Sequence, residues 1–342
     1  MIVTKIESHP LIGDFMHRIL SIFANKRNIF VLFSALLLLS FQACSRENDS
    51  KVIDFNKRIP DPQPLVHKSS DIPLKFAVGA MISPKATFVH YRELVDYIGK
   101  GLDRPAELVQ RKTYSEINEL LGEGEIDLAF ICSGPYLAGK DKQGFMAVAT
   151  PLIRESDRYQ SYLIVNRNST LQDLKDLKGG VFAFTDPDSL TGKIIPAVWL
   201  AEIKETPETF FSKVIYTYSH DNSILAVAKG LVDGAAVDSL VWDYFQEKDP
   251  KWTSLTRIIQ KSDSYGIPPL VVSRNISVNL KERLKKTLFS MHEDPEGKKI
   301  LNGLMIDRFT APSEGWYEAI RQIEDQSNHL TRQRHATQDA QK

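Results

Sequence analysis

Cysteine is nearly absent from this chain, which has Cys44 and Cys132 among 342 residues. Cys44 follows an apolar segment near the N-terminus, so Cys132 has no partner for an internal disulfide if Cys44 is modified. No Cys and His residues have the spacing of a metal site. We therefore expect neither a metal nor a cofactor.

An excess of charge of one sign is also missing, because 43 Lys and Arg residues balance 43 Asp and Glu residues. Such a chain has no overall field that attracts nucleic acid or an anionic membrane. The Gly-x-Ser-x-Gly elbow of hydrolases and the complete phosphate-binding pattern Gly-x-x-x-x-Gly-Lys-Ser/Thr are absent too. The sequence therefore favours a binding protein over an enzyme, and local dipoles and hydrogen bonds must hold any bound anion.

The apolar run at 29–41 is too short for a stable membrane span, which needs about 20 residues. It follows a basic pair and leads to Ala43-Cys44, which resembles the end of a bacterial lipobox. We predict a signal peptide and a lipidated Cys44, which would anchor the exported chain to the cell membrane or outer membrane, facing the periplasm or exterior. An uncleaved signal anchor is the alternative, and Met16 is an alternative start.

Strands and helices alternate from Leu74 onwards, with short apolar strands such as Val181–Phe184 and helices such as Leu171–Leu177 and Gly192–Glu202. This alternation predicts an α/β fold of two Rossmann-like lobes, each with a parallel sheet. Two crossings between the lobes make a hinge, and the facing carboxyl ends of the strands enclose a ligand cleft. The predicted parts are a signal peptide (1–44), a flexible tether (45–73), the first lobe (74–161 and 266–325), the second lobe (162–265) and a polar tail (326–342).

Three turns in the second lobe carry candidate ligand-binding residues. The turn at 185–192 places the Ser189 and Thr191 hydroxyls and the first free amides, including that of Gly192, at a positive helix end. Exposed amides and hydroxyls at a helix start can bind an anion, although Ser and Thr at the same positions are also ordinary helix caps. In the next crossover, Ser219 and His220 occupy a second helix start. Two such starts in neighbouring crossovers can converge on one point.

A third strand of the second lobe ends at Asp238. A carboxylate beside an oxyanion is favourable if the ligand keeps a proton, because Asp238 can then accept it in a hydrogen bond. The alternative is a cap for the following helix. In the first lobe, Ser83 and Ser133 follow two strands and are candidates to offer hydroxyls to the cleft.

Three segments between Leu74 and about Val272 carry a resemblance to a known family: Gly124-Glu125-Ile126-Asp127-Leu128-Ala129-Phe130, Asp186-Pro187-Asp188-Ser189-Leu190-Thr191-Gly192 with Pro196, and Ser219-His220-Asp221-Asn222-Ser223-Ile224-Leu225-Ala226-Val227 with Gly230 and Asp233. Their order resembles the phosphate, phosphite and phosphonate-binding proteins of ABC importers, which have the type II periplasmic solute-binding fold. The resemblance implies that Ser189, Thr191 and His220 contact a phosphorus oxyanion and that an ABC permease is the partner.

The chain departs from this family at several positions. Leu190 replaces a hydroxyl residue, Ile131 replaces an aromatic residue, and Leu240 and Pro268 stand where aminoalkylphosphonate binders place carboxylates. A buried amine would then lack a partner. We therefore predict a compact oxyanion rather than 2-aminoethylphosphonate, bound by a monomeric importer component. A sensor that passes its closed state to a signalling partner is the alternative.

Overall fold

The computed structural model describes residues 72–79, 81–313 and 315–323. The predicted signal peptide, Cys44, nearly all of the tether and the polar tail lie outside the described residues. None of the helices in the described ranges is long and apolar enough to cross a bilayer.

The strands and helices alternate as the sequence predicts. The strands are β1 (Leu74–Val78), β2 (Ala106–Val109), β3 (Leu128–Phe130), β4 (Met146–Leu152), β5 (Arg158–Tyr159), β6 (Ser161–Asn166), β7 (Val181–Phe184), β8 (Lys213–Tyr216), β9 (Gly234–Asp238), β10 (Thr256–Lys261), β11 (Tyr265–Gly266), β12 (Leu270–Val272) and β13 (Arg308–Thr310). The helices are α1 (Pro84–Gly101), α2 (Tyr114–Glu123), α3 (Ser133–Gln143), α4 (Ile195–Glu202), α5 (Pro207–Phe210), α6 (His220–Ala228), α7 (Ser239–Lys248), α8 (Val278–Phe289), α9 (Pro295–Gly303) and α10 (315–323).

The strands form one sheet in each lobe. The first lobe has six strands in the order β13-β4-β12-β3-β1-β2, and the second has five in the order β10-β6-β9-β7-β8. Strands β5 and β11 pair with each other and lie where the chain crosses between the lobes. The predicted two-lobed α/β fold with a hinge is confirmed, whereas the residue-level lobe boundaries stay predictions.

The expectation of purely parallel sheets is wrong. In the first lobe β1, β2 and β3 are parallel, but β12 runs antiparallel to β3 and β4. In the second lobe β7 is parallel to β8 and β9, whereas β6 is antiparallel to β9. The reason is the double crossing, because the strands that enter or leave a lobe, β6 and β12, insert against the direction of their neighbours.

Alternation of side chains along the strands makes the second sheet apolar on both faces. Phe182 and Phe184 of β7 pack into one apolar cluster, and Ala183 packs into another on the opposite face. Successive strand residues point to opposite faces, so a continuous apolar run is what a sheet covered by helices on both sides requires.

Local side-chain bonds explain one wrong helix prediction. The segment Leu171–Leu177 contains only a short 3-10 turn at Lys175–Leu177. Asp173 accepts hydrogen bonds from the amides of Lys175 and Asp176, and Asp176 accepts from the amide of Gln172. These bonds satisfy amides that an α-helix would otherwise use, which is how Asp competes with helix formation.

Candidate functional site

The carboxyl ends of the strands in the two lobes meet across the hinge, and backbone groups join them. The amide of His220 in the second lobe donates to the carbonyl of Met81 in the first (2.9 Å), and the amide of Ser83 donates to Asp221 (2.8 Å). The amide of Tyr114 donates to Asp186 (3.2 Å). The lobes are therefore closed on each other at the place where the sequence predicts the ligand.

The turn after β7 is built around a glycine and a π-helical turn. Leu190–Ile194 forms the π turn, and the Ser189 hydroxyl caps it by accepting from the amide of Gly192 (3.0 Å). A Cβ atom on Gly192 would overlap the side chain of Thr185, so only glycine fits here. The predicted helix Gly192–Glu202 is thus a π turn followed by α4, with Pro196 in the first turn of α4. Single π turns in helices recur at functional sites.

The turn after β8 delivers His220 from a strained backbone. Tyr218 has a φ of 59°, a left-handed conformation that is uncommon for an aromatic residue. Ser219 then caps α6 by accepting from the amide of Asn222 (3.4 Å). His220 is the first residue of α6 and is fully buried.

Hydrogen bonds fix both the tautomer and the charge of His220. Its Nδ1 accepts from the backbone amide of Asp238 (3.0 Å) and lies 3.1 Å from the Thr185 hydroxyl. An Nδ1 that accepts an amide proton has no proton of its own, so the neutral ring carries its hydrogen on Nε2. Burial lowers the pKa of His220 to about 3, which keeps the ring neutral at physiological pH.

Three buried polar atoms in this region have no partner among the described residues: Tyr114 Oη, Thr191 Oγ1 and His220 Nε2. Each can donate a hydrogen bond. A buried donor without a partner costs free energy, so such atoms need an explanation other than stability. Three of them where two lobes meet indicate a site for an acceptor ligand.

Contacts place these atoms in one neighbourhood. Thr185 bonds to His220 and packs against Gly192, whose amide bonds to Ser189. Ser161 donates to the carbonyl of Thr191 (2.6 Å) and pairs with Asp238 in the sheet. The amide of Tyr114 donates to Asp186 in the same turn as Ser189, and Ser189 and Asp238 both affect the pKa of Tyr114. We call Tyr114, Ser189, Thr191, His220 and Asp238 the buried polar cluster.

The carboxyl of Asp238 is the main acidic group of the cluster. It is 1% exposed and accepts from the amide of Leu240 (2.7 Å), so it also caps α7. Burial raises the pKa of Asp238 to about 7, against the opposing effect of the Leu240 and Val241 amides. Burial also raises the pKa of Tyr114 well above its ordinary value, with further contributions from Cys132, Asp186 and Asp238 and an opposing one from Ser189. The Tyr114 phenol is therefore a neutral donor.

The sequence-predicted residues fall into two groups. Ser189, Thr191, His220 and Asp238 come together in the cluster, while Gly192 and Ser219 shape the turns that hold them. The Ser133 hydroxyl donates to the carbonyl of Gly266 (2.7 Å), and Ser83 is half-buried at the start of α1. Roles for Ser83 and Ser133 as ligand contacts stay predictions.

Sequence reasoning did not single out Tyr114. It is the first residue of α2, after a capping box formed by Thr113 and Glu116. The only available signal was its position at a helix start after a first-lobe strand, which many core tyrosines share. No group of three or more His, Cys, Asp or Glu side chains in the described ranges is arranged to bind a metal.

Comparison with known proteins places this geometry in a family. Residues 76–317 match the family model of the ABC transporter, phosphonate, periplasmic substrate-binding protein. The chain belongs to this family. This match confirms the resemblance described in the sequence analysis. The family consists of substrate-binding proteins, in agreement with the prediction of a binding protein rather than an enzyme.

Two curated relatives of this phosphonate-binding family are about one quarter identical to the chain. The phosphonates-binding periplasmic protein of Escherichia coli (strain K12) is 25% identical over 61% of this chain and 63% of its own length. The phosphate-import protein PhnD of Mycolicibacterium smegmatis is 26% identical over 58% of this chain and 65% of its own length. The chain thus spans slightly less than two thirds of these relatives.

Two solved structures share the type II fold. A binding-protein component of an ABC phosphonate transporter from Pseudomonas aeruginosa has a TM-score of 0.73 at 22% identity, covering 76% of this chain and 88% of its own. PhnD1 of Prochlorococcus marinus in complex with methylphosphonate has a TM-score of 0.67 at 19% identity, covering 75% and 98%.

Proposed function

We propose that this protein is the lipid-anchored solute-binding component of an ABC importer and captures a phosphorus oxyanion between its lobes as a monomer. The observation that carries the proposal is the set of three buried, unpartnered donors in the buried polar cluster. They come from both lobes, so a ligand that accepts hydrogen bonds from all three would hold the lobes together. Such a ligand-stabilised closed form is what a permease can recognise.

Neutral donors suit an oxyanion that must be released again. His220 is neutral, and Thr191 and Tyr114 are hydroxyl donors. The start of the π turn adds backbone amides that favour negative charge. Hydrogen bonds to a charged group contribute about 1.5–3 kcal/mol each, so a few of them bind an anion without a buried cation.

Asp238 supports a phosphorus oxyanion over sulfate. With a pKa of about 7, its carboxyl can share one proton with a ligand that also holds a proton near neutral pH. Sulfate holds none, so its hydrogen bond would depend on the proton of Asp238 alone and would be lost as this carboxyl ionises above about pH 7. The matched family and the relatives named for phosphonate and phosphate point to the same ligand class.

Binding of small anions tests this function. Phosphate, phosphite, methylphosphonate, sulfate and acetate should be titrated calorimetrically and screened by melting shift, where tenfold excess over the dissociation constant adds about 1.4 kcal/mol of stability. We expect phosphorus oxyanions to bind and the Ser189→Ala/Thr191→Ala double variant to lose them. Ser277→Ala is the matched control, because Ser277 caps α8 in the same way on an exposed surface. Absence of binding by every phosphorus oxyanion would contradict the proposal.

The anchor needs a separate experiment, because Cys44 lies outside the described residues. We expect the expressed chain to partition into the detergent phase and Cys44→Ser to move it to the aqueous phase. Cys132→Ser is the control, since Cys132 is buried and burial raises the pKa of its thiol to about 11. Equal partition of wild type and Cys44→Ser would exclude a lipid on Cys44.

A further inference from the structure

A cavity of about 320 Å³ lies between the lobes and shares a wall with the buried polar cluster. Met81 and Asp238 form this wall. The carbonyl of Met81 accepts from the amide of His220, and the amide of Asp238 donates to the His220 ring. We call this space the interlobe cavity. A ligand held by His220 would lie next to it, because Met81 and Asp238 both bond to His220 and line the cavity.

The walls of the interlobe cavity are mainly apolar and come from both lobes. Ligand cavities of this size, ~300 Å³ and above, take a small organic group. The apolar walls include Ile82, Phe130, Ile306, Leu240, Phe245 and Pro268.

Several polar side chains of the same walls already have partners. The Tyr244 hydroxyl lies 3.1 Å from Nδ1 of His90, across the lobes. Arg154 pairs with Asp243 (3.6 Å) and with Glu247 outside the cavity (3.0 Å), also across the lobes, and Arg158 pairs with Asp157 (3.5 Å). A charged substituent would have to compete with these pairs, whereas an apolar one would not.

We propose that the ligand is an organophosphonate with an uncharged, apolar substituent, whose phosphonate group binds the buried polar cluster and whose substituent fills the interlobe cavity. This inference rests on the proposed function and replaces the compact oxyanion that the sequence predicts with one that carries an apolar substituent. A compact anion would leave the apolar walls in contact with water, whereas an alkyl or aryl group would cover them.

A ligand series tests the substituent directly. Inorganic phosphate, methylphosphonate, propylphosphonate, phenylphosphonate and 2-aminoethylphosphonate should be titrated at fixed pH and ionic strength. We expect affinity to rise about fourfold for each methylene group added from methyl to propyl, as for transfer of a methylene out of water. Propylphosphonate and 2-aminoethylphosphonate have the same number of heavy atoms, and we expect the uncharged member to bind at least about tenfold more tightly.

Two variants of one half-buried residue locate the substituent. Leu240 lines the cavity at the start of α7 and packs against the edge of the core without being fully buried in it. We expect Leu240→Trp to reduce phenylphosphonate affinity at least about tenfold and to leave inorganic phosphate within about threefold. Leu240→Glu should reverse the order of propylphosphonate and 2-aminoethylphosphonate, because a carboxylate favours the amine. Leu231→Trp is the control on a leucine that is 67% exposed and outside the cavity.

The outcomes separate the two proposals. If inorganic phosphate binds at least as tightly as propylphosphonate and phenylphosphonate, the apolar substituent is wrong and the oxyanion-binding function stands. If Leu240→Trp leaves phenylphosphonate binding unchanged, the substituent does not occupy this cavity and the inference fails. If no phosphorus oxyanion binds at all, the proposed function fails as well.

Discussion

The two lobes contribute unequally to the buried polar cluster. The second lobe supplies Ser189, Thr191, His220 and Asp238 from turns that follow three of its strands. The first lobe supplies only Tyr114, and its Ser133 hydroxyl is engaged by the carbonyl of Gly266. We infer that the second lobe recognises the anion and that the first lobe completes the site when the lobes close.

The unequal division has a physical basis in the turns. Both second-lobe turns begin with a serine that caps a helix, and these turns place donors beside the free amides of a helix start. The first-lobe helices α1 and α3 have no side-chain cap, and the Ser83 amide at the start of α1 is already bonded to Asp221. The following five predictions test this comparison, and their effects on affinity are given in decreasing order.

Removal of the Thr191 hydroxyl should have the largest effect on affinity. We expect Thr191→Val to weaken methylphosphonate binding about 10- to 100-fold, the range for a hydrogen bond to a charged group. Thr191 Oγ1 has no partner within the described part of the chain, so the same change should stabilise the ligand-free protein by about 1 kcal/mol. Calorimetry and denaturant unfolding measure the two effects, which have opposite signs.

Thr253 offers a matched control for this prediction. Its hydroxyl is also buried and unpartnered, but it lies near the start of β10, away from the cluster. Thr253→Val should leave methylphosphonate affinity unchanged. Equal effects of the two substitutions on affinity would contradict recognition by the second lobe.

Titration of Asp238 should change affinity about tenfold between pH 6 and pH 8. With a pKa of about 7, the carboxyl is mostly neutral at pH 6 and mostly ionised at pH 8, where it repels the anion. The ratio of wild-type to Asp238→Asn affinity for methylphosphonate should therefore fall by about that factor, because the asparagine amide does not titrate. A constant ratio would show that Asp238 does not face the anion.

The same carboxyl predicts the sign of a stability change. Because its folded pKa lies above the ordinary value of 3.8, the folded state binds more protons than the unfolded state between about pH 4 and pH 7. The contribution of Asp238 to the free energy of unfolding is fully present below about pH 4 and is lost as the pH rises through 7. Asp238→Asn should therefore be more stable than wild type at pH 8 and similar to it near pH 4, measured by urea unfolding without ligand.

Loss of the single first-lobe hydroxyl should have a smaller effect than loss of Thr191. We expect Tyr114→Phe to weaken methylphosphonate binding about fivefold, the typical net contribution of about 1 kcal/mol from one hydrogen bond. Tyr97→Phe is the control, because Tyr97 lies on α1 beside Asp294 and outside the cluster. If Tyr114→Phe costs more affinity than Thr191→Val, the assignment of recognition and closure to the two lobes should be exchanged.

The exposed ion pairs across the cleft should have the smallest effect. Arg154 pairs with Asp243 and Glu247 of the other lobe, but its side chain is 59% exposed. Surface pairs contribute about 0–1 kcal/mol, so Arg154→Ala should weaken ligand binding no more than about fivefold, and less at high salt. Arg92→Ala removes a comparable pair within α1 and should not change affinity. A larger loss of affinity for Arg154→Ala would show that closure of the lobes depends on these charges.

Local patterns predicted most of the fold and four of the five residues in the buried polar cluster. The strand Val181–Phe184 has the predicted bounds, because a continuous apolar run in a covered sheet leaves little ambiguity. The segment Leu171–Leu177 was predicted as a helix, but two aspartates bond to its amides. Apolar spacing alone does not show where such polar side chains point.

The sequence by itself determined the alternation of strands and helices, the hydroxyl-rich helix starts in the second lobe and the family to which they belong. These depend on residues close together in the chain, where spacing limits conformation. Only the tertiary structure decided that Tyr114 joins Thr191 and His220, that Asp238 becomes a carboxyl with a pKa near 7, and that Leu240 and Phe130 share a cavity wall. Such properties depend on burial and on contacts between distant segments, which arise only when the chain folds and its lobes close.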